Sequence, residues 1–252
     1  MNSMENINSL SILVIDTFPG LLHLSGKLLK NNKCLTYLEI QSCQNLHSLP
    51  SELEKLTALK SLIISNCEEL SCLPLGLQNL KVLELLEING CHGMVSLPED
   101  GIGGLSSLQN LFIESCHNLF SLSRGLCRLT ALEQLSIMSC PKLASLPDGL
   151  QNLSALRSLT VISCPELFSL PEGLQHVTTL QSLMGYNASV LSSTCQFKIA
   201  LFLNACASRK KLPSFIILGC LKIEVIFSGR PSPIIQDAIY IPAASILEVP
   251  DL

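Results

Sequence analysis

Tryptophan is absent, and aromatic residues make up only 4% of the 252 residues. A core of this size must then be filled by aliphatic side chains. A core built from one branched aliphatic type favours regular, stacked layers over an irregular globule. Charge is scarce too: 14% of residues are charged and the formal net charge is -4. No Lys/Arg stripe occurs, which excludes the electrostatic footprint of a nucleic-acid binder. With 48% hydrophobic residues the chain is nonetheless not a disordered one. Long hydrophobic runs are missing: residues 197–207 are too short to cross a bilayer, and 215–227 are broken by Lys222 and Glu224. Residues 1–6 carry no basic n-region, and the apolar run 12–15 is too short for a signal peptide. The expectation is a soluble, cytoplasmic protein with no membrane partner, whose 12 cysteines stay reduced.

Catalytic signatures are also lacking. Gly26-Lys27 has neither the earlier glycine nor the following Ser/Thr of a phosphate-binding loop, and no GxSxG or HExxH frame appears. No CxxC pair offers a metal site. These absences point to a protein that is not an enzyme and needs no cofactor or metal.

What is present is a repeat. LTYLEIQSCQNLHSLPSELEKLTA starts at Leu35, and LKSLIISNCEELSCLPLGLQNLKV follows at Leu59. Further copies start at Leu83, Leu108, Leu132 and Leu156, a partial one at Leu180, and a worn one at Leu10 with Phe18 where the others have Cys. The period is 24, lengthened to 25 in the copy from Leu83 by one residue between Pro98 and Ile102. Self-similarity at a fixed period of this size is the signature of a solenoid.

Each position has a physical role. In LxxLxI the alternation places Leu38 and Ile40 on one face of a short strand and Glu39 on the other. One such strand cannot bury its apolar face alone, so successive copies must stack into a parallel sheet. Pro50 then ends the extended run. Leu53, Leu56 and Leu59 follow at the three-residue spacing of a 3₁₀ turn. The expected fold is an α/β solenoid, a right-handed superhelix of horseshoe type. Its parallel β-sheet lines the concave face, and short 3₁₀ or irregular segments form the convex side. Residues 1–9 are a lead and 10–186 the solenoid of about seven repeats.

This pattern, LxxLxIxxCxxLxSLPxGLxxLxxL, resembles the leucine-rich repeats of plant intracellular nucleotide-binding disease-resistance receptors. The resemblance rests on the Cys after each strand (Ser42-Cys43, Asn66-Cys67, Ser163-Cys164). It rests equally on the Ser-Leu-Pro-x-Gly-Leu runs starting at Ser145 and Ser169. It implies protein recognition in plant defence, with an effector or host protein as ligand and a nucleotide-binding domain in a longer receptor as partner. An alternative is the substrate-recruiting adaptor of a ubiquitin ligase, although residues 1–9 leave no room for an F-box. Bacterial leucine-rich-repeat ubiquitin ligases carry a catalytic Cys, but here Cys195, Cys206 and Cys220 have no adjacent acid-base partner.

Cys43, Cys67, Cys91, Cys116, Cys140 and Cys164 share one repeat position. They are expected to form a buried ladder, each thiol a weak donor to backbone carbonyls. His92 and His117 each follow a ladder Cys and read as surface residues. The variable positions between the fixed Leu and Ile are the binding candidates. One column runs Glu39, Ile63, Glu87, Phe112, Ser136, Thr160, Met184, and the next runs Gln41, Ser65, Asn89, Glu114, Met138, Ile162, Tyr186. The early half leans acidic through Glu39, Glu84, Glu87 and Glu114, and the later half leans apolar. A protein ligand with a basic and a hydrophobic end suits it.

From residue 187 the pattern stops. Residues 187–252 hold six Lys/Arg against four Asp/Glu, whereas 1–186 hold ten against sixteen. Two readings fit this irregular segment: a cap on the open end of the solenoid, or an extension that packs poorly.

Overall fold

The computed structural model describes residues 9–167, 170–171, 173–186 and 214–218. Each coil contributes one five-residue strand: β1 (Ile12–Asp16), β2 (Tyr37–Gln41), β3 (Ser61–Ser65), β4 (Leu85–Asn89), β5 (Asn110–Glu114), β6 (Gln134–Met138), β7 (Ser158–Ile162) and β8 (Ser182–Tyr186). They lie side by side in chain order, all parallel, because each coil returns the chain one strand spacing along the axis. A ninth strand, β9 (Ser214–Leu218), pairs in parallel with β8, so part of the segment after 186 extends the sheet. The choice between cap and loose extension for the rest of 187–252, like the lead before residue 9, lies outside the described residues.

The register follows the repeat. Leu38, Leu62, Leu86, Leu111, Leu135, Leu159 and Leu183 are opposite one another from strand to strand, with Leu13 ahead of them. Ile40, Ile64, Ile88, Ile113, Ile137 and Val161 form the second inward row, which Gly185 interrupts. Both rows are buried, and every strand from β2 to β5 alternates three half-buried outward positions with two buried inward ones.

Immediately after the strand the backbone turns through the left-handed region. Thr17, Ser42, Asn66, Gly90, Ser115, Ser139 and Ser163 occupy this position with φ between 50° and 63°. The amide of Ser42 donates to the Ser65 carbonyl at 2.9 Å, and that of Gly90 to the Glu114 carbonyl at 2.9 Å; Thr17, Asn66, Ser115 and Ser139 do likewise, each adding one more rung to the ladder. Asn66 and Gly90 are types that adopt this conformation readily, whereas Thr17 and the four serines are held in it by the turn.

The opposite side of the coil is closed by tight turns. Ser51–Lys55, Leu75–Asn79, Arg124–Arg128, Leu150–Asn152 and Leu174–His176 are 3₁₀, as the three-residue leucine spacing requires. The coil with the extra residue differs. There α2 (Glu99–Gly103) replaces the 3₁₀ turn, and the amide of Ile102 donates to the Pro98 carbonyl at 3.0 Å, where Leu53 donates to Pro50 at 3.1 Å. The insertion is absorbed by widening a three-residue hydrogen-bonded turn to a four-residue one, which keeps Ile102, Leu105 and Leu108 in the core. The wider turn crowds the next coil: a Cβ on Gly125 would fall onto the Glu99 carbonyl oxygen. The other helical turn among the described residues is α1 (Gly26–Asn31), in the first coil, which likewise advances 25 residues, from Ile12 to its partner Tyr37.

That first coil carries Asn32 where the others have Leu56, Leu80 or Leu129. Asn32 is fully buried. Its Oδ1 accepts the Leu10 amide at 2.8 Å and its Nδ2 donates to the Leu28 carbonyl at 2.8 Å, pinning the start of the solenoid to α1. A leucine could satisfy neither backbone group.

Candidate functional site

The alternation that buries the Leu and Ile rows leaves three outward positions per strand, and the register lines them into three columns. The central column is Val14, Glu39, Ile63, Glu87, Phe112, Ser136, Thr160 and Met184. The column toward the strand ends is Asp16, Gln41, Ser65, Asn89, Glu114, Met138, Ile162 and Tyr186, by the same register. Glu39, Ile63, Glu87, Phe112 and Met184 therefore sit in one row and Gln41, Glu114, Met138 and Ile162 in its neighbour, all half-buried on one face. Tyr186 ends β8 opposite Ile162; its side chain is outside the described residues.

Glu84 stands apart. It precedes β4 by one residue, and Lys60 Nζ donates to its Oε1 at 3.0 Å. Arg157 and Glu133 form the matching pair three coils on, at 3.5 Å. These are exposed flank pairs, each neutralised locally and worth little to stability.

A third column escaped the sequence reading: Ile12, Tyr37, Ser61, Leu85, Asn110, Gln134, Ser158 and Ser182. The signal was available, since the same alternation extends two residues before each central position. Tyr37 is its most informative member. Its hydroxyl donates to Glu39 Oε2 at 2.7 Å, a bond that raises the phenol above its ordinary range and fixes the Glu39 carboxylate on the face. The worn first copy also contributes: Ile12 and Val14 are exposed on β1. The Thr17 hydroxyl donates to Asp16 Oδ1 at 2.7 Å, and this bond, followed by one from the Gln41 side chain, holds the Asp16 carboxyl below the usual carboxylate range.

Charge on this face has one sign. Asp16, Glu39, Glu87 and Glu114 lie on β1, β2, β4 and β5, and no Lys, Arg or His occupies any position of β1–β8. From β6 onward the outward residues are apolar or neutral, among them Ser136, Met138, Thr160, Ile162 and Met184.

The cysteine ladder lies beside the face. All six thiols are free and buried. Cys67 Sγ donates to the Ser65 carbonyl at 3.6 Å and to the Ile40 carbonyl of the preceding coil at 3.8 Å, and Cys91 and Cys116 repeat the pattern. Burial pushes the Cys67 thiol up to about 11 and that of Cys91 up to about 12. Cys140 reaches about 12, first through its hydrogen bond with Cys116, and Cys164 is raised first by Cys140. Thiols this hard to ionise are poor nucleophiles and poor ligands. His92 and His117, expected as ordinary surface residues, stack face to face with ring centroids 4.1 Å apart. Among the described residues no group of three or more His, Cys, Asp or Glu could hold a metal, and no helix is long and apolar enough to cross a membrane.

Residues 1–216 match the family of the leucine-rich repeat region. Among solved structures, the leucine-rich repeat domain of the type III effector XopL is similar at 24% identity. The match covers 72% of this chain and 70% of that one, with a TM-score of 0.50. A leucine-rich repeat protein of Leptospira interrogans is similar at 19% identity over 87% of this chain and 70% of that one, with a TM-score of 0.41. No curated protein matches the sequence.

Proposed function

The chain belongs to the leucine-rich repeat family, and from that premise we propose that it recognises a protein ligand through the outward face of β1–β8. Leucine-rich repeats generally serve as protein-interaction modules, and a stacked sheet offers one continuous surface for the purpose. The observation that carries the reading is the contrast between frame and face. The inward Leu and Ile rows barely change, while the outward columns vary from coil to coil and present Phe112, Met138, Ile162 and Met184 on the same face as the carboxylates. Stacking alone has no use for large apolar side chains on the wet side of the sheet.

The finer reading is a sensor in plant defence. Its support is the likeness of the Ser-Cys and Ser-Leu-Pro-x-Gly-Leu runs to those of plant disease-resistance receptors. In this reading the face meets a pathogen effector or a host protein in the cytoplasm. A nucleotide-binding domain of a longer receptor responds to that encounter.

A photo-crosslinking residue placed at Phe112, on the face, or at Leu75, on the opposite side and 76% exposed, tests the proposal in plant extract. A protein captured from position 112, not from 75, and lost on Glu87→Ala supports it. Equal capture from both sides, or capture indifferent to Glu87→Ala, overturns it.

A further inference from the structure

Resting on the recognition reading above, we propose that the occupant of the face is a single amphipathic helix with cationic turns at one end and apolar turns at the other. The charge distribution sets its two ends. Asp16, Glu39 and Glu87 lie in the first four strands with Glu114 on the fifth, and no basic side chain on β1–β8 compensates them. Glu84, the remaining acidic candidate, is excluded because Lys60 already pairs with it. Glu39 is presented in a fixed orientation by the Tyr37 hydroxyl. Carboxylates arranged in this way select Lys or Arg over the first half of the sheet. Phe112 opens the apolar stretch beside Glu114, and from β6 onward Met138, Ile162 and Met184 offer contact area without charge.

The backbone of the sheet decides between a helix and an extended strand. β2 to β8 are each paired on both sides, so their amides and carbonyls are spent on one another. An extended segment lying on this face would need partners for its own backbone groups. Over β5–β8 the central column offers it only Ser136 and Thr160, set between Phe112 and Met184. A helix satisfies its own backbone and asks only for side-chain contact. The dimensions agree. Strands spaced ~4.8 Å apart place Glu39 and Glu87 roughly 10 Å from each other, about the rise between helical residues i and i+7. Eight strands span about 34 Å, the length of a helix of roughly 22 residues.

The probe is a fluorescent 22-residue helical peptide with Lys on one face of its first half and Leu on the same face of its second. Its control has the same composition with Lys and Leu interspersed. Fluorescence anisotropy against the full chain is expected to show the segregated peptide binding at least tenfold tighter than the interspersed one. Glu39→Gln/Glu87→Gln should lower that affinity several-fold, and should flatten its dependence on salt between 50 and 300 mM, which a merely structural loss would not do. Equal affinity of the two peptides, or a salt dependence unchanged in the double variant, overturns the proposal. If a cellular protein crosslinks at position 112 but the segregated peptide does not compete with it, the helix proposal falls while face recognition stands. Absence of that crosslink removes both.

Discussion

Replacing Leu86 by Ala and, separately, its neighbour Glu87 by Ala probes the two faces of one strand. Leu86 is fully buried in β4, between Leu62 and Leu111 in the adjoining strands. The substitution removes three carbons from water-free surroundings, about 2.4 kcal/mol at ~0.8 kcal/mol per methylene. A cavity remains, because the flanking leucines are fixed by ladder hydrogen bonds and cannot move in. The total should therefore reach about 3–5 kcal/mol. A domain of ordinary stability has about 5–15 kcal/mol in all, so the loss is easily measured. Glu87 faces out and is not itself part of any described ion pair; Glu87→Ala should change stability by less than about 0.5 kcal/mol. Urea unfolding followed by circular dichroism reads both, with m unchanged if unfolding stays cooperative. Comparable losses from the two substitutions, or a Leu86→Ala loss below about 1 kcal/mol, would refute the inward and outward assignment.

Other positions give sharper tests of local geometry. Ser123 stands where other coils have Pro, with φ -70° and ψ 152° against -69° and 150° at Pro50, and its buried hydroxyl lacks a partner. Ser123→Pro should therefore stabilise by about 1 kcal/mol, seen as a Tm raised by about 2–4 °C. Gly125→Ala should do the reverse, by more than about 1 kcal/mol, because its Cβ meets the Glu99 carbonyl; a neutral result would show that α2 shifts freely. Native alkylation at pH 8, mapped by mass spectrometry, should label the exposed Cys34 and Cys72 and spare the ladder thiols. The raised thiols also set a pH dependence. They stay protonated in the folded chain while unfolded thiols ionise, so their contribution is intact below about pH 8.5, the unfolded value. It is lost as pH rises toward about 12. Urea midpoints should accordingly fall from pH 9 to 11, and less steeply after Cys91→Ala.

The sheet was legible because its cause is periodic. A Leu and an Ile two residues apart, returning every 24 residues, fix strand length, register and the buried rows together. The insertion before Ile102 was equally visible, but not its effect, since whether a turn widens to α depends on the neighbouring coil as well as on its own length. β9 was not legible: SFIIL carries no LxxLxI frame, and only its pairing with β8 marks it as part of the sheet. The candidate face was found in two of its three columns. The third, with Tyr37 and Leu85, precedes the central position by two residues and shares its exposure. Glu84 was counted with the face because its charge matched, whereas its position one residue before β4 pairs it with Lys60. Asn32 looks in sequence like a lost leucine; its value lies in an amide 22 residues away.

Methionine oxidation measures the alternation most directly. Met138 and Met184 face outward, whereas Met94, at 0% exposure, fills a leucine position in the core. Under dilute peroxide, with sites resolved by peptide mass spectrometry, Met138 and Met184 should oxidise at least tenfold faster than Met94. Bound ligand should slow the outward pair alone. Met94 oxidising as fast as Met138 in the native protein would contradict the account.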